Sequence, residues 1–398
     1  MTSTGASGAA GPLAGIRVVD LSSVVMGPLA TQMLGDLAAA VVCIEAEGGD
    51  TNRVMGAGPH RQLSGVSLNL LRNKRNVAIN LKAPEGREAF LRLVATADVL
   101  ITNLRPGPLE RLRLRYDDVV AFRPDIIYCQ AHGWSQESGS GDMPAFDDVI
   151  QAATGLAELQ ERVLGERMLL PTLVADKVSG IAIATSVLAA LFHRERTGEG
   201  QRIEVPMADV IGAFVLVEHG AEAIPEPALG PAGYHRILTR ERRSQRTADG
   251  WINVLPFSPD HYAVIWEEGG RHDLKDDPRA ATGRARIAHG DELYRDLAEV
   301  LRTRSTGFWL DFCRKHKIPS SAVRTVQDLV DELPLAEHPR VGTYRQVPYP
   351  VHFSRTPASI RHHAPLIGEH SAEVLAELGY SDDDIAALVE SGVLRRSD

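Results

Sequence analysis

The first 206 residues alternate short β-rich runs with helix-length segments, and this alternation constrains the fold more than any other feature of the chain. Neighbouring parallel strands need crossover connections of a dozen or more residues, usually helices. The spacing therefore predicts βαβ units around a largely parallel sheet, which is an α/β fold. The predicted strands are residues 16–21, 41–44, 77–81, 98–102, 125–129 and 201–205.

The first strand-to-helix turn argues against a nicotinamide dehydrogenase, which such a sheet would otherwise suggest. Residues 22–28 read Ser-Ser-Val-Val-Met-Gly-Pro and lack the GxGxxG pattern, whose glycines let the backbone approach a pyrophosphate. The nearest glycine pair, Gly48 and Gly49, follows the second predicted strand at the wrong spacing.

The second half of the chain begins with a long helix predicted over residues 176–196, which ends in basic residues followed by glycines. Residues 222–246 combine proline, glycine and arginine, as a loop into a second unit does. That unit is predicted to contain a strand at 251–255. Helices are predicted around 262–268, 291–301 and 307–316, and two short ones follow a loop at 366–371.

Charge, cysteine content and hydropathy limit the partners and the cellular location that we expect for this protein. A net charge of −9 argues against a nucleic-acid partner, which would require a basic face. Cys43, Cys129 and Cys313 lie far apart, so we expect buried free thiols in a reducing compartment, with the cytoplasm as the location. No apolar run approaches the roughly 18 residues of a membrane span, so no membrane partner is expected. Residues 1–11 read as a loose tail without the basic start of a signal peptide.

Asp176, at the start of the long predicted helix, is the first candidate for chemistry. Aspartate is a favoured helix N-cap, and capping alone explains it. A carboxylate there, beside the small Ser179 and Gly180, also leaves room for a substrate carbonyl, with helix N–H groups nearby for an oxyanion. Asp147 and Asp148 begin another helix-like run, and a stabilising charge at the helix start explains them equally well.

Basic residues flank the strand near residue 79: Arg72, Lys74, Arg75 and Lys82. They fit either a solvated strand edge or a phosphate-facing cluster. Residues 103–107 end a strand, where parallel-sheet proteins place ligands. The 14 histidines form no metal-binding spacing, so no metal is expected, and no GxSxG serine elbow is present.

Several stretches, each weak alone, occur in the order found in family III (CaiB/BaiF-type) CoA-transferases, which the chain resembles from about residue 12 to 394. They are residues 12–21, 27–32, 73–75 with 81–82, 103–107, 194–201, 247–250 and 366–370. The resemblance implies a large Rossmann-like α/β domain formed by both chain ends (12–221 with 331–398). A smaller α+β domain with its linker (222–330) and an interlocked homodimer are also implied, and residues 1–11 are predicted from their composition to be a disordered tail.

The resemblance also implies a site. Asp176 takes the place of the family's nucleophile, and Asn103, Arg105, Arg111 and Lys82 hold the nucleotide and pantetheine parts of coenzyme A. The full set of implied CoA contacts is Val25, Met26, Ile79, Asn80, Leu81, Lys82, Asn103, Leu104, Arg105, Arg111, Phe146 and Asp147. Residues 43–46 depart from the family, since Cys-Ile-Glu-Ala stands where many members carry a basic residue or proline. Adenine or 3′-phosphate contacts are therefore expected to differ.

The implied reaction transfers CoA from an acyl-CoA donor to a carboxylic acid acceptor, through an aspartyl-CoA thioester on Asp176 and without a metal. Two alternatives remain. The related 2-methylacyl-CoA racemases use an acid/base histidine where this chain has Phe146, so a racemase would need another histidine, such as His132 or His219, at the site. A CoA-binding protein without turnover is the other.

The acyl donor and acceptor are not readable from these patterns. Arg240, Arg242, Arg243 and Arg246 form an arginine cluster after the loop at 233–236. One hypothesis is that these arginines recognise the carboxylate of a dicarboxylic acyl group. The plainer interpretation is a solvated loop.

Overall fold

The computed structural model describes residues 11–397, so of the predicted tail only Gly11 is among them. Its strands are β1 Arg17–Leu21, β2 Ala40–Glu45, β3 Lys74–Ile79, β4 Val99–Thr102, β5 Ile127–His132, β6 Gln201–Pro206, β7 Gln245–Arg246, β8 Trp251–Val254, β9 Ser320–Ala322, β10 Leu335–His338, β11 Gly342–Arg345 and β12 Leu394–Arg395.

Helices cover the connections between these strands. Their bounds are α1 Met26–Asp36, α2 Gly65–Leu70, α3 Pro84–Ala95, α4 Pro106–Leu112, α5 Tyr116–Val120, α6 Asp147–Ala153, α7 Leu156–Leu164, α8 Val174–Thr197, α9 Met207–His219, α10 Pro259–Glu268, α11 Pro278–Ala281, α12 Gly283–Ala288, α13 Gly290–Leu301, α14 Thr306–Lys315, α15 Val326–Asp331, α16 Ser371–Glu377 and α17 Asp382–Glu390.

The central sheet has the order β12-β3-β2-β1-β4-β5-β6, and all neighbours are parallel except the pair β12 and β3. The predicted parallel α/β sheet is thereby confirmed, and the pairing of β12 with β3 confirms that both chain ends build it. The strand order reverses between β1 and β4, whose carboxyl ends are the place where open α/β sheets bind ligands. Strands buried on both faces, as in β5, are expected of a parallel sheet covered by helices.

The described residues form two compact units. The large unit comprises residues 11–154, Leu170–Phe214 and 333–397, and the small unit comprises Gly155–Leu169 and Val215–Glu332. The small unit contains the antiparallel sheet β7-β8-β9, and its core includes the buried Trp266 and Trp309. The domain boundaries proposed from the sequence stay a prediction.

Two buried carboxylates hold α1 on the sheet of the large unit. Asp20 on β1 accepts hydrogen bonds from Lys74 Nζ at 3.0 Å and Thr31 Oγ1 at 2.5 Å. Asp36, at the end of α1, accepts from Arg72 Nη2 and Asn73 Nδ2, both at 2.7 Å. Lys74, expected at a strand edge or a phosphate site, is instead 1% exposed inside the fold. A charge at such depth requires a partner, and Asp20 is that partner.

Helix α8 packs against α1 along a stripe of small residues. A Cβ on Gly180 would lie 2.8 Å from the carbonyl oxygen of Met26, so only glycine permits this approach. The space beside Gly180 is therefore filled by α1, and room for a substrate carbonyl at Asp176 stays a prediction. The predicted stop signals are confirmed, because α8 ends at Gly198, whose φ is +78°.

By length and composition alone, α8 is also apolar enough to cross a membrane, with a mean hydropathy of 1.6 over its most apolar 18 residues. Half of that window is buried within the fold. Core helices of globular proteins pass the same test, so the finding is weak evidence for a membrane span.

Candidate active site

Two loops meet where the strand order reverses. One follows β1 (residues 22–25) and the other follows β4 (103–105), and the side chain of Asn103 joins them. Asn103 Oδ1 accepts from the Ser23 N–H at 2.9 Å, and Asn103 Nδ2 donates to the Ser23 carbonyl at 2.8 Å. The loops are thus fixed to each other before any ligand binds.

The β1–α1 loop contains a strained residue at its centre. Val24 has φ +68°, a left-handed conformation that a β-branched residue rarely adopts. Its N–H donates to both oxygens of Asp50 at 3.1 Å, and its carbonyl accepts from Asn52 Nδ2 at 3.3 Å. Such strain persists where the surroundings hold it, and it gathers at functional sites.

Asp176 is the third residue of α8 and is not its N-cap, which is Leu173. The capping interpretation of its side chain is therefore wrong. Asp147, the first residue of α6, satisfies the start of α8 instead: its Oδ1 accepts from the Asp176 N–H at 2.9 Å, and its Oδ2 accepts from Gln151 Nε2 at 2.5 Å. The Asp176 carboxylate has no hydrogen bond to any residue within 11–397.

Burial and charge raise the proton affinity of Asp176. The residue is 9% exposed, and desolvation, followed by repulsion from the Asp147 carboxylate, raises its pKa to about 6. Its position in the first turn of α8 favours the ionised form. A raised carboxylate pKa in a cavity is a frequent mark of a catalytic group.

The carboxylate of Asp176 lies at the wall of a cavity of about 230 Å³, which we call the Asp176 cavity. Most of its wall is apolar. Besides Ser23 and Asp176, three residues with polar side chains line it, namely Asn103, Arg105 and His132. Its lining comprises Ser23, Val24, Met26, Asn103, Arg105, His132, Gly133, Pro144, Ala145, Phe146, Asp176 and Met207.

Two further cavities continue the site along the ends of the strands. The middle cavity, about 380 Å³, shares Ser23 with the Asp176 cavity and is also lined by Ile79, Asn80, Leu81, Lys82 and Leu104. The basic cavity, about 580 Å³, shares Leu81, Lys82 and Leu112 with the middle one and adds Arg87, Arg111 and Arg113. A row of cavities therefore runs from a cluster of cations to the Asp176 carboxylate, entirely within the large unit.

Comparison with known proteins identifies the family. The model of CoA-transferase family III matches residues 13–371. The chain belongs to the family III CoA-transferases. It is 32% identical to a probable fatty acyl-CoA transferase of Mycobacterium tuberculosis, over 93% of this chain and 99% of that protein. It is also 32% identical to a succinate–glutarate CoA-transferase of Agrobacterium fabrum, over 92% and 96%.

Solved structures agree with this assignment. A crystal structure of a CaiB/BaiF family protein from Brucella suis is 26% identical and superimposes with a TM-score of 0.78, covering 92% of this chain and 99% of that one. The recognition of the family from the sequence is confirmed, as are the fold class and the activity class of CoA transfer.

Most of the residues that the resemblance assigned to CoA line the three cavities of this CoA-transferase. Val25 is buried as the N-cap of α1, Arg111 lies in the basic cavity, and Met26 and Phe146 line the Asp176 cavity. Asn103 and Asp147 already bond to Ser23 and to Asp176 and Gln151, respectively. CoA contacts by all of these residues stay a prediction.

The departure at residues 43–46 has a structural consequence. Glu45 is buried and pairs with Arg53 at 3.0 Å, and Arg53 also donates to the carbonyls of Gln62 and Pro365. Ile44, Glu45 and Ala46 line the middle cavity, where they present no free cation to a phosphate. The cations of the basic cavity are instead Lys82, Arg87, Arg111 and Arg113.

Sequence reasoning missed Arg87 and Arg113. Arg87, on α3, donates to the carbonyls of Leu112 and Arg113 at 3.0 and 2.9 Å, and so closes the end of α4. Arg113 follows α4 with φ +52°, which turns the chain at the basic cavity. Neither position belongs to a recognisable motif, and only the pairing of α3 with α4 brings them together.

The histidines divide between the two units. His132, at the end of β5, lines the Asp176 cavity. The sequence analysis considered this histidine only as one that a racemase would need at the site. His219 lies in the small unit, where its Nδ1 accepts from the Tyr234 N–H. Within residues 11–397 no cluster of three metal-ligating side chains occurs. Cys43, Cys129 and Cys313 are buried and free, which confirms the prediction made for these thiols.

The arginine cluster of residues 240–246 has mixed partners in the small unit. Arg240 donates to the carbonyls of Val163 and Leu164, Arg246 stacks on Trp251 at 4.0 Å, and Arg243 lies 3.8 Å from Glu241. These contacts give Arg240 and Arg246 structural tasks. Recognition of a carboxylate by the cluster stays a hypothesis.

Proposed function

We propose that Asp176 carries first the acyl group and then CoA while this CoA-transferase moves CoA from an acyl-CoA donor to a carboxylic acid. The observation that carries the proposal is the state of the Asp176 carboxylate: it is buried at a cavity wall and has no hydrogen bond within residues 11–397. Structural carboxylates at such depth are bonded, as Asp20 and Asp36 are.

A carboxylate is a weak nucleophile in water because water solvates its charge. Burial removes part of that solvation and raises the pKa of Asp176 to about 6. A more basic carboxylate is a better nucleophile, yet one pKa unit below neutrality leaves roughly ten ionised molecules for each protonated one. The raised pKa therefore strengthens Asp176 while keeping it charged at pH 7.

The proposed reaction has two symmetrical halves. An oxygen of Asp176 attacks the thioester carbon of the donor. The carbon–sulfur bond breaks, CoA leaves as thiolate, and a mixed anhydride between Asp176 and the donor acyl group remains. The thiolate then attacks the aspartyl carbonyl, which releases the donor acid and leaves an aspartyl-CoA thioester. The acceptor carboxylate attacks that thioester, CoA thiolate leaves again, and a mixed anhydride between Asp176 and the acceptor remains. The thiolate then attacks the acyl carbon of the acceptor, which forms the new acyl-CoA and releases the Asp176 carboxylate. No proton is required from a side chain in this sequence.

The row of cavities supports a placement for CoA. Lys82, Arg87, Arg111 and Arg113 in the basic cavity suit the phosphates of the nucleotide, and none of them forms an ion pair within residues 11–397. The middle cavity would hold the pantetheine arm. The thioester would then reach the Asp176 cavity, past Ser23, which both inner cavities share.

The homodimer implied by the resemblance is part of the proposal. Ile181, Leu188 and Phe192 lie on one face of α8 and are 51%, 36% and 64% exposed. Their spacing of seven and four residues gives an apolar stripe of the kind that a second copy covers. Light scattering coupled to gel filtration would show twice the 43.2 kDa mass of one chain, and a monomer would contradict this part.

Trapping of the enzyme intermediate tests the proposal. After mixing with an acyl-CoA, hydroxylamine should convert Asp176 to its hydroxamate, which mass spectrometry of the Asp176 peptide would detect. Asp176→Asn should show no such product. A protein that binds acyl-CoA without forming any adduct would be a binder without turnover.

A second candidate, exchange of the α-proton as in a racemase, is favoured by one observation: His132 lines the same cavity as Asp176. Phe146, at the position of the racemase histidine, is 67% exposed and has no proton to exchange. Incubation of a 2-methylacyl-CoA in deuterium oxide without an acceptor acid separates the candidates. Deuterium at the α-carbon would support the racemase, and its absence together with CoA transfer would support the transferase.

A further inference from the structure

Two polar side chains of the Asp176 cavity, Arg105 and His132, have no task in the proposed transfer. The reaction needs no side-chain proton, and four other cations line the cavity suited to the nucleotide phosphates. The resemblance assigned Arg105 to CoA. In the structure, it lines the Asp176 cavity and neither of the other two.

Arg105 carries a charge without an opposite partner. One guanidinium nitrogen, Nη1, donates to the carbonyl oxygen of Asp142, which ties the β4–α4 loop to the segment before α6. No carboxylate lies within ion-pair distance of Arg105 among residues 11–397. A guanidinium presents five donors in a planar fork that matches a carboxylate, so most of its binding capacity is open.

His132 is 3% exposed, and neither ring nitrogen has a hydrogen bond of good geometry within residues 11–397, although Glu204 and the backbone of Trp134 both act to raise its pKa. Its Nε2 lies 3.3 Å from Glu204 Oε1, too poorly aligned to count as a hydrogen bond. Burial has the larger influence and lowers the pKa of His132, so the neutral ring is favoured. A substrate carboxylate within reach of the ring would add a second acceptor, and an imidazole between two carboxylates carries both protons.

The cavity itself is small. About 230 Å³ is less than the roughly 300 to 1,000 Å³ typical of sites for drug-sized ligands. A short acyl group fits this space better than a fatty chain. The apolar part of the wall (Met26, Phe146, Met207 and neighbours) suits the methylene groups between two polar ends.

We infer that Arg105 and His132 bind a second carboxylate on the transferred acid, so that this enzyme acts on short dicarboxylic acids. The inference rests on the proposed function, because it places the reacting carboxyl group at Asp176 and the other at Arg105 and His132. It also decides between the chemistries in the names of the two relatives above, a fatty acyl group and a succinyl or glutaryl group, in favour of the second.

Matched substrates provide the first test. Glutarate and valerate have the same number of carbons and differ in the second carboxylate, so they are compared as acceptors from one donor thioester. The intact enzyme should prefer glutarate by about 10- to 100-fold in kcat/KM, since charge-assisted hydrogen bonds to a desolvated carboxylate are at stake. Palmitate is the long-chain comparison, and equal or better turnover with valerate or palmitate would overturn the inference.

The second test uses Arg105→Gln, whose amide can still donate to the Asp142 carbonyl and so keeps the loop tie. The preference for glutarate over valerate should fall at least tenfold, while the KM for the donor thioester changes little. His132→Leu should reduce the same preference about two- to tenfold, as loss of one hydrogen bond does. Arg92→Gln, an exposed arginine on α3, is the matched control and should leave the preference intact.

Binding of the free acids separates failure of this inference from failure of the proposed function. Calorimetric titration with glutarate and valerate needs no turnover, so tighter binding of glutarate that Arg105→Gln abolishes would support the inference even in a protein that transfers no CoA. If Arg105→Gln instead lost affinity for CoA itself and kept its preference for glutarate over valerate, Arg105 would belong to the CoA site, and the inference would be overturned.

Discussion

Asp20 and Asp176 are both buried carboxylates of the large unit, and they differ in what surrounds them. Asp20 accepts hydrogen bonds from Lys74, Thr31 and Ser22, and Lys74 further donates to the Pro28 carbonyl. Asp176 accepts none within residues 11–397, and the charge that acts on its pKa is that of another carboxylate, Asp147. Burial alone therefore does not separate a structural charge from a reactive one.

The two environments have opposite energetic consequences. A buried ion pair that loses one partner leaves an uncompensated charge, so Asp20 and Lys74 stabilise the fold only together. The carboxylate of Asp176 is uncompensated from the outset, which destabilises the fold and makes the group reactive. Stability given up at a reactive site is the expected trade between stability and activity.

The largest expected effect is on turnover in Asp176→Asn. Removal of a covalent nucleophile should lower the rate of CoA exchange between acids on the order of 10⁴-fold or more. The free energy of unfolding should not fall, because an amide has no charge to desolvate and no hydrogen bond is lost. Steady-state exchange of labelled acid into acyl-CoA measures the first and urea denaturation the second. If Asp176→Asn still exchanged CoA between acids at the wild-type rate, Asp176 would not be the nucleophile, and its contrast with Asp20 would not hold.

The next effect is structural and concerns Lys74→Met, which leaves Asp20 buried without its ion-pair partner. We expect a loss of about 3 to 5 kcal/mol in unfolding free energy. Arg92→Met, which breaks the exposed pair with Glu88, is the control and should cost about 1 kcal/mol or less. Equal effects of the two variants would mean that the Asp20 network contributes no more than a surface pair.

The sequence was sufficient for the sheet because its strands differ from their surroundings in composition. Runs such as the one in β4, Val-Leu-Ile-Thr, are β-branched and apolar between polar turns, so periodicity located the strands of the parallel sheet to within three residues at each end. The edge strand β12 has two residues and no such pattern, and its pairing with β3 is a long-range contact that the resemblance alone implied.

The site was predictable only in part, for a physical reason. Asp176 stands at a helix start, which local pattern detects, but its lack of hydrogen bonds depends on Asp147 occupying the cap 29 residues away in sequence. Lys74 and Lys82 look alike in sequence, yet one is sealed beside Asp20 and the other lines two cavities. His132 and Arg105 become neighbours of one cavity only when β4 and β5 pair.

The pH dependence of stability sharpens the comparison further. The folded pKa of Asp176 is about 6, above its ordinary 3.8, so the protonated folded state is favoured. This stabilisation is fully present below about pH 4 and is lost as pH rises through 6. Relative to the wild type, Asp176→Asn should therefore gain about 2 to 3 kcal/mol of stability between pH 4 and pH 7. Urea titrations at each pH measure the gap, and a gap that does not change with pH would contradict a raised pKa.

The smallest expected effect concerns the charge of Asp147. Asp147→Asn keeps an oxygen that can accept from the Asp176 N–H, but it removes the repulsion that raises the pKa of Asp176 after desolvation. The acid limb of the pH–rate profile should move to lower pH by less than one unit, because desolvation is the larger cause. Asp148→Asn, at the exposed neighbour on α6, is the control and should leave the limb in place. A larger shift in the control than in Asp147→Asn would show that the repulsion acting on Asp176 has another source.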